Sequence, residues 1–214
     1  IPKTAGIFSV TVEVSDGCNT EIVTFSLEIF LGGNDHDGDG FPAESDCDDD
    51  DPSSFPLKKG FNILSKSARI CDGTYESWLI LKGNGIVVEA HALGVFLKGG
   101  YLALDGTTNS TIRRINVTDT PGVLAEGNFF TAGIWLHNAK GNKLEFVSAM
   151  CKPELIYTCD FAAFFQASDD NTLHDSVLAE GKYSLSFSLG SDNNTVSSTK
   201  CSSPENAWVT DSGT

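Results

Sequence analysis

Along the first thirty residues apolar and polar side chains alternate. Phe8, Val10, Val12 and Val14 are separated by Ser9, Thr11 and Glu13, and Val23, Phe25, Leu27 and Ile29 by Thr24, Ser26 and Glu28. A period of two puts every second side chain on one face of a strand, which predicts two strands joined by the turn residues Ser15-Asp16-Gly17-Cys18-Asn19-Thr20. The resulting hairpin has one apolar face. Two strands alone are marginal in water, so that face requires a cover.

From Phe61 onward the pattern changes. Short apolar runs recur, among them Trp78-Leu79-Ile80-Leu81, Gly85-Ile86-Val87-Val88, Gly94-Val95-Phe96-Leu97 and Gly133-Ile134-Trp135-Leu136, separated by Gly, Asn, Asp and Ser. No stretch holds a helical period over three turns, so this part is expected to be all-β. A repeat runs through it. Asn138-Ala139-Lys140-Gly141-Asn142-Lys143-Leu144 aligns with Ala167-Ser168-Asp169-Asp170-Asn171-Thr172-Leu173 and with Gly190-Ser191-Asp192-Asn193-Asn194-Thr195-Val196, at spacings of 29 and 23 residues. Asn109-Ser110-Thr111-Ile112 reads as an earlier copy, and Trp208-Val209-Thr210 starts a further coil. Such a period fits a parallel β-solenoid, in which each coil buries its inward residues on its neighbours. The register then predicts Leu144, Leu173 and Val196 stacked inside, and Asn142, Asn171 and Asn194 stacked at a turn, where their amides can satisfy backbone groups. The segment between Cys151 and Cys159 behaves as a loop inserted into one coil.

Charge divides the chain differently. Of 29 acidic and 14 basic side chains, nine carboxylates and no Lys or Arg fall in residues 35–51, so this short window carries −9 of the formal −15. Gly32-Gly33 leads into it and Pro52, Pro56 and Gly60 close it. The predicted organisation is therefore a hairpin at 1–31, an acidic linker at 32–60 and a solenoid at 61–214. With only three arginines and scattered lysines, the chain lacks the basic footprint that nucleic acid requires. No run approaches the ~20 apolar residues of a membrane-crossing helix.

Within the window, Asp35-His36-Asp37-Gly38-Asp39-Gly40-Phe41-Pro42-Ala43-Glu44-Ser45-Asp46 has the arrangement of an EF-hand-type calcium loop. Carboxylates stand at positions 1, 3 and 5 (Asp35, Asp37, Asp39), Gly40 at position 6, the backbone carbonyl of Phe41 at position 7 and Asp46 at position 12. A hard cation that takes six to eight oxygens suits this density, and without it the carboxylates repel one another. Asp46 replaces the usual Glu, and no flanking segment looks like an EF-hand helix. A solvated acidic linker is the competing reading. The continuation Asp46-Cys47-Asp48-Asp49-Asp50-Asp51-Pro52-Ser53-Ser54-Phe55-Pro56 resembles thrombospondin type 3 and MopE-type repeats, in which one acidic loop runs into the next. By that resemblance Asp46, Asp48 and Asp50 begin a second Ca2+ site.

Two further resemblances set the fold class. Ala5-Gly6-Ile7-Phe8-Ser9-Val10-Thr11-Val12-Glu13-Val14-Ser15-Asp16-Gly17 resembles the closing hairpin of an immunoglobulin-like or PKD-like module, which implies that the chain begins within a larger domain or is completed by another subunit. The Asn-Thr-aliphatic steps of 61–214 resemble the NosD-type, pectate-lyase-like right-handed parallel β-helices, a superfamily of carbohydrate-binding and sugar-hydrolysing solenoids. The fold class is thus all-β: an immunoglobulin-like hairpin fragment, a calcium-binding linker and a right-handed parallel β-helix.

Six cysteines without zinc spacing, together with Asn-x-Ser/Thr sequons at Asn109, Asn116 and Asn193, favour an oxidising, extracellular or cell-surface setting. A Cys151–Cys159 disulfide would close the inserted loop, and Cys47–Cys71 would tie the acidic segment to the first coil. Cys18 and Cys201 are left over, to pair outside the chain or to stay free.

Candidates for catalysis are few. Asp169-Asp170 has the look of an acid pair, but the aligned copies read Lys140-Gly141 and Asp192-Asn193, so turn chemistry is the simpler account. His36, His91, His137 and His174 form no cluster that spacing reveals, although His137 beside Trp135 could face a sugar. Exposed Trp78, Trp135 or Trp208 would stack on sugar rings, whereas at a solenoid position interior filler is expected. The resulting functional expectation is a non-enzymatic, calcium-stabilised structural protein of a cell-surface filament, sheath or S-layer, which self-associates or joins neighbouring surface-protein subunits. The alternative is a secreted glycan-binding or polysaccharide-degrading β-helix.

Overall fold

The computed structural model describes residues 6–15, 20–29, 35–42, 45–120, 123–124, 131–151, 159–188 and 190–202. Every regular element among them is a strand, and no helix is long and apolar enough to cross a membrane. Strands β1 (Gly6–Ser15) and β2 (Thr20–Ile29) pair antiparallel over their full length, with Phe8 opposite Leu27, Val10 opposite Phe25 and Val12 opposite Val23. Thr11 and Thr24 share a hydroxyl hydrogen bond of 3.1 Å on the polar side.

The rest of the described chain winds through three parallel sheets. After β3 (Ser54–Phe55), the first coil is β4 (Gly60–Leu64), β5 (Ala68–Ile70) and β6 (Gly73–Tyr75); the second is β7 (Ser77–Leu81), β8 (Val87–Ala90) and β9 (Val95–Lys98). The third is β10 (Leu102–Asp105), β11 (Thr111–Arg113) and β12 (Ile115–Thr120), after which β13 (Val123–Leu124) pairs antiparallel with β14. The fourth is β14 (Thr131–His137), β15 (Lys143–Glu145) and β16 (Ser148–Cys151), the fifth β17 (Phe161–Gln166), β18 (Thr172–His174) and β19 (Val177–Ala179), and the sixth β20 (Tyr183–Ser188), β21 (Thr195–Ser197) and β22 (Lys200–Ser202). Sheet I takes the first strand of each coil, sheet II the second and sheet III the third, so that equivalent strands stack in order. This is the topology of a parallel β-solenoid. Sheet II opens with β3, whose Ser54 and Phe55 pair with Arg69 and Ile70, so the stack begins inside the segment expected as linker.

Alternation decides what lies inside. On sheet I, Leu79 and Leu81 stack in register on Leu102 and Leu104, then on Ile134 and Leu136. Val88, Ile112, Leu144 and Leu173 do the same on sheet II, and Leu97, Val117, Ala149 and Leu178 on sheet III. These residues are fully or almost fully buried and belong to one cluster. In the third to sixth coils a residue of positive φ, Arg114, Phe146, Asp175 or Ser198, turns the chain from sheet II to sheet III.

Leu144, Leu173 and Val196 share one column, as the repeat implied. Val196 is nevertheless 38% exposed, because β21 is the last strand of sheet II among the described residues. The earlier copy is shifted by one: Ile112 lies opposite Leu144, but the slot of Asn142 is taken by Ser110, and Asn109 stands at the turn beside it. Trp78 and Trp135 are corrections to the interior expectation. They alternate with buried Leu79 and Ile134 and so lie half-buried on the outer face of sheet I. Trp208 and Cys18 lie outside the described residues.

Asn142, Asn171 and Asn194 form a closed polar column through this stack. Asn142 Nδ2 donates to the carbonyl of Thr107 and to Asn171 Oδ1, each at 2.9 Å, and Ser110 N donates to Asn142 Oδ1. Asn171 repeats the pattern with Ala139 O and Asn194 Oδ1, and Asn194 Nδ2 reaches Ser168 O. Buried amides are tolerated here because each donor and acceptor meets a partner where the strands break.

Candidate metal centre

The acidic segment leads directly into the first coil, and short-range geometry shapes it. Asp37 Oδ1 accepts from Asp39 N, Asp39 Oδ1 from Phe41 N and Asp46 Oδ1 from Asp48 N, at 3.0, 2.7 and 3.2 Å. These are Asx turns, in which a carboxylate folds onto the backbone two residues ahead. Each one fixes its side chain by one oxygen and leaves the other directed elsewhere. Asp35 uses both oxygens, accepting from Gly38 N (2.7 Å) and Gly40 N (3.1 Å), where positive φ at both glycines bends the loop.

The carboxylates of Asp37, Asp39 and Asp46 converge. One carboxylate oxygen from each of the three lies within 4.8 Å of the others. Oδ2 of all three is buried and meets no hydrogen-bond donor. Three negatively charged oxygens packed together without a donor are costly unless protonated or bound to a cation. Burial accordingly lifts the Asp37 and Asp39 carboxyls above the ordinary aspartate range, and the neighbouring acids push in the same direction. An all-oxygen anionic donor set of this kind matches Ca2+ or another hard divalent ion, with backbone carbonyls and water completing the shell.

A second group shares Asp37. Asp35, Asp37 and Asp49 also bring carboxylate oxygens within 4.8 Å of one another. Of the seven positions the sequence pointed to, Asp35, Asp37, Asp39 and Asp46 thus fall into these two groups. Asp48 and Asp50 do not, and Asp49 enters in their place. The turn explains the exchange: Asp51 N donates to Asp48 O, while Asp49 Oδ1 accepts from His36 N and Asp50 Oδ1 pairs with His36 Nδ1 at 2.7 Å. The Asp50 hydrogen bond and charge raise the His36 pKa. Spacing alone could not select Asp49 from a run of four aspartates. Phe41, expected to offer its carbonyl, has its ring stacked on Phe55 with centroids 6.2 Å apart, and Lys58 Nζ lies 5.2 Å from its centroid. Glu44 lies outside the described residues.

One of the two disulfides fixes the surroundings. Cys47, next to Asp46, bonds to Cys71 at the end of β5, so a covalent tie holds the acidic segment to the first coil. Both sulfurs are consumed in that bond and are not thiolate ligands for a metal. Cys151 and Cys159 close the inserted loop, and Cys201 is free and exposed.

The remaining ionisable groups serve turns and faces. Asp169 Oδ1 accepts from Asp192 N, and Asp170 faces Lys140. His174 bridges Ser197 and Asp175. On the outer face of sheet I, His137 Nδ1 meets Asp105 at 3.0 Å, its ring stacks on Trp135 at 5.0 Å, and Lys82 reaches Asp105 at 2.8 Å. A shallow groove of ≈ 470 Å³ lies where sheet III turns into sheet I, lined by Trp78, Glu76, Asp119, Lys59 and Lys98. No protein-family model, no curated protein and no solved structure matches this chain.

Proposed function

We propose that the chain is an extracellular, calcium-stabilised structural protein of a cell-surface assembly, of the filament, sheath or S-layer type. The finer fold reading belongs to the same proposal: an immunoglobulin-like hairpin, a thrombospondin type 3 or MopE-like calcium segment and a right-handed, NosD-type β-helix. The observation that carries it is the set of buried, donor-free oxygens of Asp37, Asp39 and Asp46, one residue from the Cys47–Cys71 tie to the first coil. A cation there would rigidify the entry to the solenoid, which is a mechanical role. The disulfides support an oxidising setting. Among the described residues the hairpin strands and the last strand of each solenoid sheet pair on one side only, and such edges would supply surfaces for joining copies or neighbouring surface subunits. Electron microscopy with calcium and with a chelator tests the reading: ordered polymers that loosen on chelation are expected, and unchanged monomers in both conditions would overturn it.

One observation favours a second reading, glycan binding without assembly. Trp78 is half-exposed beside Phe61, which is 65% exposed with ring centroids 4.6 Å apart, and the groove next to them offers carboxylates and lysines to sugar hydroxyls. Quenching or shift of tryptophan fluorescence by acidic oligosaccharides, lost in Trp78→Ala, would favour it. Cleavage of such a polysaccharide, abolished by Asp169→Asn with Asp170→Asn, would make it an enzyme.

A further inference from the structure

We infer that Asn109 and Asn193 are N-glycan acceptors lying on one edge of the solenoid, and that the third sequon, at Asn116, is closed by the fold. The inference rests on the extracellular reading and adds to it which edge carries sugar.

The three sequons sit in different environments. Asn109 and Asn193 are exposed, at φ 50° and 56°, at the turn that leads from sheet I into sheet II. They belong to one column of left-handed turn residues, continued by Gly85, Gly141 and Asp170. Neither carboxamide takes a hydrogen bond among the described residues, and the ladder positions beside them, Ser110 and Asn194, carry the buried bonds instead. Asn116 lies within β12. Its Nδ2 donates to Val95 O at 3.3 Å and its Oδ1 accepts from Ser148 Oγ at 2.7 Å, so the nitrogen that would carry a sugar is engaged with the neighbouring coil.

The transfer needs only groups of stated chemistry. The Asn Nδ2 attacks the anomeric carbon of a polyprenyl-pyrophosphate-linked oligosaccharide held by an oligosaccharyltransferase. A C–N bond forms, the C–O bond to pyrophosphate breaks with its electron pair, and the amide gives up one proton. Both free carboxamides can rotate outward to meet such a donor. Asn116 would first have to leave Val95 and Ser148 and open the seam between β9, β12 and β16.

The placement bears on assembly. Asn109 and Asn193 are three coil steps apart in one column, which at ~4.8 Å per step puts them about 14 Å apart. Two glycans that close together coat this turn edge, and leave lateral contacts to the other corners of the solenoid.

The test uses the purified folded chain, a single-subunit oligosaccharyltransferase that accepts Asn-x-Ser/Thr, and its lipid-linked oligosaccharide. A parallel arm uses the chain reduced and unfolded in denaturant, then diluted into the reaction. Sites are read by deglycosylation in heavy-oxygen water and peptide mass spectrometry. Modification of Asn109 and Asn193 in the folded arm is expected, with Asn116 occupancy lower than in the unfolded arm by about tenfold or more, because two hydrogen bonds must be given up. Equal occupancy of Asn116 in both arms, or unmodified Asn109 and Asn193 in the folded arm, would sink the inference. Asn116→Gln should leave the folded pattern unchanged, and a changed pattern would count against it. Failure of the assembly reading shows separately, as absent polymers in microscopy of the unmodified chain.

Discussion

Two parts of this molecule stack polar side chains where the backbone turns, and they end in opposite electrostatic states. In the Asn142–Asn171–Asn194 column every side-chain amide meets a protein partner, so the network is neutral and closed. In the acidic segment, Asx turns satisfy one oxygen of Asp37, Asp39 and Asp46 and leave the other buried and donor-free. Both use short side chains that bond to nearby backbone. The column completes itself with the next coil, whereas the acidic segment needs a proton or a cation from outside. Removing a side chain should therefore always harm the first, and harm the second only when its ion is present.

The largest effect is expected at Asn171, the central rung. Asn171→Ala leaves the buried Asn142 N without its acceptor and removes one of the two hydrogen bonds made by each of Asn142 Nδ2, Ala139 O and Asn194 Oδ1. Four hydrogen bonds lost at once, one of them leaving a buried N–H unpaired, should cost about 3–5 kcal/mol in denaturant unfolding, independent of calcium. A loss below about 1 kcal/mol would show that water or backbone shifts complete the column as well as the amide does.

Next comes the bond that joins the two regions. Cys47→Ser with Cys71→Ser removes a link across 24 residues, which should destabilise by about 3 kcal/mol if the chain-entropy account holds. Calcium affinity, followed by calorimetry, should weaken in the same variant, because Asp46 adjoins Cys47. Unchanged affinity would mean that the cage is shaped by its Asx turns alone.

The column was legible in the sequence because its rule is local: Asn, then Lys or Thr, then an aliphatic residue, at each return of the coil. Only the copy at Asn109 misled. There Ser110 occupies the rung, and a one-residue shift is invisible when the serine bonds as the asparagine would. Likewise Asp35, Asp37 and Asp39 were marked by their alternate spacing, but Asp49 was not, since the turn from Asp48 to Asp51 decides which member of an unbroken acidic run faces inward. Trp78 and Trp135 were misplaced for a related reason. A short apolar run has no polar residue to show which alternate set faces out, and Leu79 and Ile134 took the interior.

The calcium dependence follows in size. A ligand at one hundred times its dissociation constant stabilises the folded chain by about 2.7 kcal/mol, so thermal unfolding should rise with added calcium and fall back with chelator. Asp37→Asn and Asp39→Asn should abolish that increment while leaving the calcium-free chain as stable as before or more so, since each removes a buried negative charge that lacks a donor. Asp48→Asn should retain the increment. If Asp37→Asn destabilises the calcium-free chain as strongly as Asn171→Ala does, the acidic segment is a closed network after all and the contrast fails.

Asp72 supplies the smallest and sharpest test, because it is a carboxylate that behaves like the column. It lies just after Cys71 and accepts from the backbone N–H groups of Ala92, Leu93 and Gly94 at 2.7–3.0 Å, capping the turn of the next coil. Burial works to raise its pKa, but the Leu93, Ala92 and Gly94 donors outweigh it and hold the carboxyl below the ordinary aspartate range. A folded-state pKa lowered in this way gives stability that is fully present above the unfolded value and is lost as pH falls through the folded one. Asp72→Asn keeps one acceptor oxygen and loses the charge, so it should cost about 1 kcal/mol near neutral pH. The gap between variant and parent should close as pH drops below the ordinary aspartate range, and calcium should not alter it. A gap that persists undiminished in acid would assign the effect to the shape of the turn, and a gap that appears only with calcium would place Asp72 with the cage.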